Sequence, residues 1–285
     1  MAEARTHTAA VLVDGLRFPE GPRWHGHLLF VSDMHAGRII TVSERGEVAA
    51  FAEVPGQPSG IGWDPDGHLM VVSMTDRRVL KFHTDGPQVF ADLSGLATFH
   101  CNDMVVDAAG GAYVGNFGFD LDGGATPVPT VLIRVAPDGA ASVAADDVRF
   151  PNGSVITPDG RTLIVGESFG GRLTAWDIAP DGTLSGRRVW AQLDGAVPDG
   201  ICLDAEGAVW SACPISGRVL RVLEGGEVTD VVSIDRRGAY ACMLGGADRR
   251  TLFICTADAS DPAETGSMRG AIETVRVDVP GAGRP

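Results

Sequence analysis

Residues 58–73 read PSGIGWDPDGHLMVVS, a strand-like segment, a tight turn and a second strand-like segment. The turn residues suit their places, because proline presets φ, aspartate can cap its own backbone and glycine tolerates a positive φ. A third apolar segment follows at residues 78–82, and a weaker fourth at residues 88–90. This stretch therefore predicts a unit of three clear β-strands and a fourth, weaker strand.

Units of this kind recur six times along the 285 residues. Each opens on a short polar step that leads into its first strand. The variable position of that step is occupied in turn by Glu20, Ser59, Asn102, Asn152, Asp199 and Ala241. The turns are spaced roughly 40–50 residues apart, as in propeller blades, and helical periodicity is nearly absent. The sequence therefore predicts an all-β fold, a six-bladed β-propeller with four-stranded blades.

A propeller ring must be closed, and residues 8–13 have no unit of their own. We predict that they pair beside residues 272–279, so that the N-terminal strand closes the last blade. No linker interrupts the units, and we expect residues 1–285 to form a single domain. The rival folds are an array of β-sandwiches, which gives no reason for a sixfold register, and a β-helix, whose repeats would be shorter.

Composition restricts the partners of this chain. The formal net charge is −14 without a compensating Lys/Arg cluster, which disfavours nucleic acid. No apolar run approaches the roughly 20 residues that cross a bilayer, and residues 1–10 have no signal-peptide pattern. The cysteines are scattered, which disfavours a disulfide framework, indicates a cytoplasmic protein and makes most of them buried hydrophobes. We therefore expect a small-molecule partner, and the oligomeric state stays open.

The first strand of each propeller blade lines the central channel, so the six variable residues should converge at one end of the axis. The loop after each second strand returns to that same end. These rim loops are expected at residues 33–35, 74–76, 116–119, 167–169, 214–216 and 258–259. The third continues to about Thr130 with several Gly and Pro residues, and is expected to form a lid or wall.

Two carboxylates and two amides at one axial point make an oxygen-rich site. Glu20 and Asp199 would repel each other unless a cation lies between them. Oxygen ligands suit Ca²⁺, Mg²⁺ or Mn²⁺, while Zn²⁺ and Fe²⁺ stay open. The alternative is that these residues only cap turns, which Asn, Asp and Ser often do but Glu does not. Asp204 and Glu206, in a hairpin at the opposite end, are expected to be turn residues.

Four stretches resemble a known family: FPEGPRW at residues 18–24, CND at 101–103, PNG at 151–153 and PDGICLDAEG at 198–207. They are similar to the SMP-30/gluconolactonase/LRE family, also called regucalcin-like. The resemblance runs through all six units, and residues 198–207, followed by VWSAC at 209–213, are its most specific part. It implies a six-bladed propeller with one divalent metal ion at the channel mouth, and hydrolysis of sugar lactones. Among divalent ions, Ca²⁺ is the one we expect.

The resemblance also implies residue roles. The family's acidic first ligand falls on Glu20, its asparagine ligand on Asn152 and its aspartate ligand on Asp199. The asparagine that borders the substrate and the metal-bound water falls on Asn102. We predict that Asp199 is also the catalytic base that deprotonates the attacking water.

The substrate contacts depart from the sugar-lactone pattern. Members of that group usually carry an arginine two residues before the substrate asparagine, where this chain has His100. Histidine offers fewer donors to sugar hydroxyls, and the rim is rich in Met and Phe, so a less polar ligand is favoured. The predicted substrate contacts are Asn102, His100, Glu167, Phe117, Phe119 and Met74. The alternatives are a structural His100, and Glu167 as an outer-shell residue or an exposed rim charge.

Together these patterns predict a metal-dependent hydrolase of a lactone or a related carboxylic ester. A phosphotriesterase- or arylesterase-like hydrolase on the same metal, a non-catalytic metal- or ligand-binding propeller, and a non-hydrolytic cyclase or lyase are the alternatives. A serine nucleophile is disfavoured because no Gly-x-Ser-x-Gly elbow is present. The position of Cys101 beside His100 is not evidence of a catalytic dyad, since neighbours in a strand point to opposite faces.

Overall fold

The computed structural model describes residues 4–258 and 269–283. These residues form six sheets of mainly antiparallel strands around a central axis, which confirms the predicted six-bladed propeller. The first strands of successive blades contact one another around the ring. Among the described residues, the helical elements are two short 3-10 turns, Met34–Ala36 and Ser168–Gly170, each directly after a second strand.

The strands are numbered β1 to β25 in chain order, and two precede the first blade: β1 (Arg5–Thr8) and β2 (Ala10–Leu16). Blade one contains β3 (Pro19–His25), β4 (Leu28–Asp33), β5 (Arg38–Val42) and β6 (Val48–Glu53). Blade two contains β7 (Pro58–Trp63), β8 (Leu69–Ser73), β9 (Arg78–His83) and β10 (Gly86–Asp92). Blade three contains β11 (Cys101–Val106), β12 (Ala112–Asn116), β13 (Thr130–Val135) and β14 (Ala141–Val148).

The remaining blades follow the same order. Blade four contains β15 (Pro151–Ile156), β16 (Thr162–Glu167), β17 (Arg172–Ile178) and β18 (Leu184–Gln192). Blade five contains β19 (Ile201–Leu203), β20 (Val209–Cys213), β21 (Arg218–Val222) and β22 (Val228–Ser233). Blade six contains β23 (Gly238–Gly245), β24 (Thr251–Ala257) and β25 (Gly270–Arg276), completed by β2.

The ring closes through the N-terminal segment, as predicted. Strand β2 pairs antiparallel with β25, with Ala10 opposite Thr274. The prediction was wrong for the residues before Ala10, because β1 instead pairs in parallel with β22 and gives blade five a fifth strand. Arg5 Nε and His7 Nε2 both lie 2.9 Å from Oδ1 of the buried Asp230, so a polar contact holds this strand rather than an apolar pattern.

Apolar side chains fill the space between blades. Trp24 of blade one stacks on Phe253 of blade six, with ring centroids 5.4 Å apart, across the junction where the ring closes. The five cysteines are all buried with free thiols, which confirms their expected role as small hydrophobes: Cys101, Cys202, Cys213, Cys242 and Cys255. In the part of the chain that the structure describes, no helix has the length and apolar character needed to cross a membrane.

The hairpins between first and second strands lie at the other end of the axis from the rim loops. In blade five, Asp204 Oδ1 accepts hydrogen bonds from the backbone amides of Glu206 (3.0 Å) and Ala208 (3.1 Å). Arg221 on the third strand donates to both Asp204 (2.7 Å) and Glu206 (2.8 Å). The prediction that Asp204 and Glu206 are turn residues is therefore confirmed.

Candidate functional site

In blades one to four the polar step lies at an irregularity of the innermost strand, whereas in blade five Asp199 lies before β19, as the sequence predicted. In β15, Pro151 pairs with Glu167, and the ladder resumes only at Ser154 opposite Val165. The register shifts at the same place in β3, β7 and β11. A bulge of this kind re-aims a side chain away from the regular alternation. The irregularity therefore frees Asn152 and its equivalents from the strand pattern.

The glycine after the polar position has a steric cause. A Cβ atom on Gly21 would lie 2.4 Å from the carbonyl oxygen of Ser59 in the next blade, and one on Gly153 would lie 2.4 Å from the amide nitrogen of Ile201. Gly60 and Gly200 meet the following blade in the same way. Because neighbouring blades approach each other closely here, their polar residues are also brought together.

Hydrogen bonds and charge interactions join the polar residues across blades. Ser59 Oγ donates to Asn102 Oδ1 at 3.4 Å, so Ser59 orients its neighbour. The side-chain nitrogen Nδ2 of Asn152 donates to Ser168 Oγ at 3.2 Å. The Asn152 side chain is also hydrogen-bonded to the Asp199 carboxylate. The negative charge of Glu20 in turn raises the pKa of the Asp199 carboxylate. The predicted ligands Glu20, Asn152 and Asp199 thus lie together, with Asn102 beside them.

The two acids are held in an environment that opposes their ionisation. Burial raises the pKa of Glu20 from its ordinary 4.5 to about 8, and the Asp103 carboxylate adds to the rise. Burial also raises the pKa of Asp199 well above its ordinary value, reinforced by Glu20 and Asp103. Glu20 and Asn152 are buried, whereas Asp199 keeps part of its surface exposed. A cation at this point would relieve the repulsion among these groups.

The sequence analysis missed a buried ion pair at the centre of the site. Arg23 Nη2 donates to Asp103 Oδ1 at 2.9 Å and to the carbonyl oxygen of Met104 at 2.6 Å. Arg23 and Asp103 are each only 4% exposed. The guanidinium therefore pairs with Asp103, and although its charge also acts to lower the pKa of Glu20, burial outweighs it.

A signal for this pair was present in the repeat register. Asp103 stands where four other units have glycine, at Gly21, Gly60, Gly153 and Gly200. Arg23 stands where the other units have an uncharged residue, at Gly62, Val105, Val155, Cys202 and Leu244. Two opposite charges at positions that are otherwise small or apolar indicate a pair across the channel.

Replacing Arg23 with methionine is expected to lower the free energy of unfolding by about 3–5 kcal/mol, because it leaves the buried Asp103 carboxylate unpaired. Denaturant unfolding measures this, and the double variant Arg23→Met/Asp103→Leu should recover most of the loss. Arg188→Met is the control, since its pair with Asp177 is exposed and worth less than about 1 kcal/mol. A loss for Arg23→Met no larger than that of the control would contradict this account.

Glu167 ends β16 and is fully buried, so the alternative of an exposed rim charge is wrong. Its carboxylate accepts hydrogen bonds from Arg172 Nε (3.0 Å), Thr174 Oγ1 (2.5 Å) and the Arg149 amide (2.8 Å). Although burial alone would raise the pKa of Glu167, the bonds from Arg172 and Thr174 hold it below its ordinary value. A contact between Glu167 and a substrate stays a prediction.

The same arrangement occurs in blade one. Asp33 ends β4, accepts a hydrogen bond from the Phe18 amide at 3.1 Å and pairs with Arg38 at 2.8 Å. In both blades the acid holds the backbone that leads into the polar step. Asp33 binds the amide of Phe18, two residues before Glu20, and Glu167 binds the amide of Arg149, three residues before Asn152. This repetition favours the outer-shell alternative for Glu167.

The rim carries the predicted apolar residues. Met74 and Phe119 are buried at 4% and 7% exposure, whereas Phe117 and His100 are partly exposed. His100 Nδ1 is buried and has no hydrogen-bond partner in residues 4–258 or 269–283, and burial lowers the pKa of this imidazole. Burial raises the pKa of the Cys101 thiol to about 12, so it holds no thiolate at neutral pH. Of the predicted rim residues, Ala259 lies outside the described part of the chain.

The donor set suits a hard divalent cation. Two carboxylates and an amide, largely shielded from water, offer oxygen ligands only, which is the chemistry that Ca²⁺, Mg²⁺ and Mn²⁺ prefer. A second cluster, Asp64, Asp66 and His68, lies in the blade-two hairpin. There Asp64 already pairs with Lys81 and with His68 Nδ1 (3.1 Å), so this cluster is a turn with its counter-ions.

A groove of about 1260 Å³ opens at the hairpin end, between blades three and four, beside Asp107 and Arg134. It contains none of the converging polar residues. Its size therefore says nothing about the chemistry of Glu20 and Asp199, and the candidate site is located by its donor groups.

A family model described as "SMP-30/Gluconolactonase/LRE-like region" matches residues 18–258. The chain belongs to this family. Two relatives in it match along most of their length. The 6-deoxy-6-sulfogluconolactonase of Pseudomonas putida is 28% identical over 277 residues, 93% of each chain. Pentonolactonase XacC of Haloferax volcanii is 27% identical over 292 residues, 94% of this chain and 93% of its own.

Solved structures support the fold. A calcium-binding regucalcin from Agrobacterium tumefaciens superposes with a TM-score of 0.81 at 20% identity, covering 99% of both chains. At this identity the likeness concerns the propeller alone. For this member of the SMP-30/gluconolactonase/LRE-like family, the residues that bear on function are Glu20, Asn152 and Asp199 at the channel mouth.

Proposed function

We propose that this chain is a divalent-metal-dependent hydrolase of lactones or related esters. The observation that carries the proposal is the close pair of carboxylates of Glu20 and Asp199, whose pKa values are raised by burial although Arg23, in its pair with Asp103, lies nearby. A site that holds two acids in this state gains most from a bound divalent cation. Two relatives that match more than nine-tenths of the chain are named as lactonases, which supports the substrate class.

Glu20, Asn152 and Asp199 would hold the cation. When bound, the cation supplies Lewis-acid polarisation of the substrate carbonyl and stabilisation of the developing oxyanion. The hydrogen bond from the Asn152 side chain orients the Asp199 carboxylate. Because Asp199 is the partly exposed member of the set, a water molecule can reach it and pass it a proton.

Two further residues act on the substrate or on the ligands. Asn102 accepts a hydrogen bond from Ser59 through Oδ1, which leaves its amide nitrogen to donate to a substrate oxygen. Glu167 acts as a positioning residue: through the Arg149 amide it fixes the backbone that leads to Asn152. His100, Phe117, Phe119 and Met74 would shape the substrate pocket.

The test is hydrolysis of a panel of lactones, aryl esters and organophosphates by metal-stripped protein, with Ca²⁺, Mg²⁺, Mn²⁺ or Zn²⁺ added back. We expect lactone hydrolysis that falls by about a hundredfold or more on chelation and returns with the ion, because a Lewis acid supplies several kcal/mol. Preference for organophosphates would favour the phosphotriesterase alternative. Metal binding by calorimetry without turnover of any member of the panel would sink the proposal in favour of a non-catalytic binding propeller.

A further inference from the structure

Four phenylalanine rings form a continuous surface on one side of the channel mouth. This aromatic wall consists of Phe117, Phe119, Phe150 and Phe169. Phe150 stacks on Phe117 with centroids 4.6 Å apart and meets Phe169 edge-on at 5.2 Å. Phe119 meets Phe169 edge-on at 5.4 Å. The rings support one another in the offset and edge-to-face geometries that aromatic pairs prefer.

The aromatic wall is linked to the candidate ligands through short stretches of chain. Phe150 is two residues before Asn152, and Phe169 follows Ser168, whose hydroxyl accepts a hydrogen bond from Asn152. On the blade-three side, the Phe117 amide donates to the His100 carbonyl at 2.9 Å, two residues before Asn102. Phe117 also packs against the apolar cluster of Phe18, Met34 and Met74, which places the wall beside the mouth that holds the candidate ligands.

At a position where Gln57 of blade two is also left-handed (φ +61°), the backbone of Phe150 is strained. Its φ is +58°, in the left-handed region that a bulky side chain rarely adopts. The carbonyl of Phe150 accepts a hydrogen bond from the Ser168 amide at 3.2 Å, and its ring is 6% exposed between Phe117 and Phe169. Because Gln57 shares this φ and its carbonyl likewise accepts a hydrogen bond from the Met74 amide (2.9 Å), the conformation belongs to the blade fold, and it holds the Phe150 ring between Phe117 and Phe169.

The rings divide into support and contact surface. Phe119 and Phe150 are buried, whereas Phe169 is 47% exposed and Phe117 is partly exposed. The ring of His100 lies 5.9 Å from Phe117, and its Nδ1 is buried without a hydrogen-bond partner among the described residues. This side of the mouth thus offers an apolar face formed by Phe117 and Phe169.

We propose that the substrate carries a planar apolar ring beside its lactone or ester group, and that this ring packs on the aromatic wall; this rests on the proposed hydrolase function. Stacking against Phe169 and Phe117 stabilises such a ring. A polyhydroxylated substituent placed there would lose hydrogen bonds to water without replacement, which a site of this kind penalises. The wall therefore selects the substituent, while Asn102 and the ligands act on the carbonyl.

The experiment compares three lactones: β-phenyl-γ-butyrolactone, β-methyl-γ-butyrolactone and gluconolactone. The first two share ring and leaving group and differ only in the substituent. For the metal-loaded wild type we expect kcat/KM to be about tenfold or more higher for the phenyl than for the methyl lactone. Phe169→Ala should abolish most of that ratio, chiefly by raising KM for the phenyl lactone.

Phe51→Ala is the matched control. Phe51 is 50% exposed and meets Phe30 edge-on at 5.1 Å, but lies on the outer strand of blade one. It should leave the phenyl-to-methyl ratio unchanged. A wild-type ratio near one, a preference for gluconolactone, or a ratio that survives in Phe169→Ala would each overturn the proposal.

A separate binding experiment distinguishes failure of the hydrolase function from failure of the ring-binding proposal. If no lactone is turned over with any ion, the same intact phenyl and methyl lactones serve as ligands in calorimetric titrations of the metal-loaded protein. Tighter binding of the phenyl compound that is lost in Phe169→Ala supports the ring-binding wall without catalysis. Equal binding of the two lactones, or none, overturns it.

Discussion

Changing Asp199 to asparagine is expected to lower kcat/KM by about 10²–10⁴-fold, the usual contribution of a general base. The variant also removes one charged ligand, so metal affinity should fall with it. Asparagine keeps the shape of the side chain and an oxygen that can accept from Asn152, and the backbone bond from the Asp199 amide to the Ala212 carbonyl (2.9 Å) is untouched. Steady-state kinetics with metal analysis of the purified variant measures both effects.

A matched control is Asp181→Asn, an exposed aspartate of the blade-four hairpin at the opposite end of the axis. Its kinetics and metal content should stay within about twofold of wild type, in line with the small effects of surface changes. If Asp199→Asn behaved like Asp181→Asn in both measurements, Asp199 would be neither base nor ligand.

Metal-free protein is expected to lose stability as the pH rises from about 5 to 8. The pKa of Glu20 is about 8 in the folded state against an ordinary value of 4.5. Within that window the unfolded chain has released a proton that the folded state still holds, so the free energy of unfolding falls by about 1.4 kcal/mol per pH unit for each such group. Asp199, whose pKa is also raised by burial, acts in the same direction.

Denaturant unfolding at a series of pH values, with chelator and with saturating cation, measures this dependence. Bound cation stabilises the ionised acids, so the fall should vanish and binding should release protons at pH 6–7. Glu20→Gln without metal is the matched variant and should show a smaller fall, because one titrating group is gone. Metal-free wild-type stability that is flat or rises across this window would contradict the raised pKa of Glu20.

Much of the fold is readable from short windows of sequence. The turn at Asp64–Gly67 and its counterparts are decided by residues within four positions of one another, and so is the alternation of each strand. Repetition of these windows then implies a ring, since each blade must bury its faces against the next. The polar step at Glu20, Asn152 and Asp199 was predicted in the same way, because equal places in equal blades converge on the axis.

The tertiary structure decided what depends on residues far apart in the chain. The pair of Arg23 with Asp103 joins blades one and three, and no local pattern encodes that contact. Strand β1 adds to blade five through Asp230, more than 200 residues away, although its own residues are polar.

For the substrate side of the site, the sequence predicted some features and the tertiary structure decided others. The sequence by itself determined the propeller, the register of the site and an apolar rim. It left Glu167 open between contact, outer-shell residue and rim charge, and only the packing around it showed that its oxygens are engaged by Arg172, Thr174 and the Arg149 amide. Local periodicity reports which face a residue takes, whereas its partners depend on how close the blades come, and that distance exists only in the closed ring.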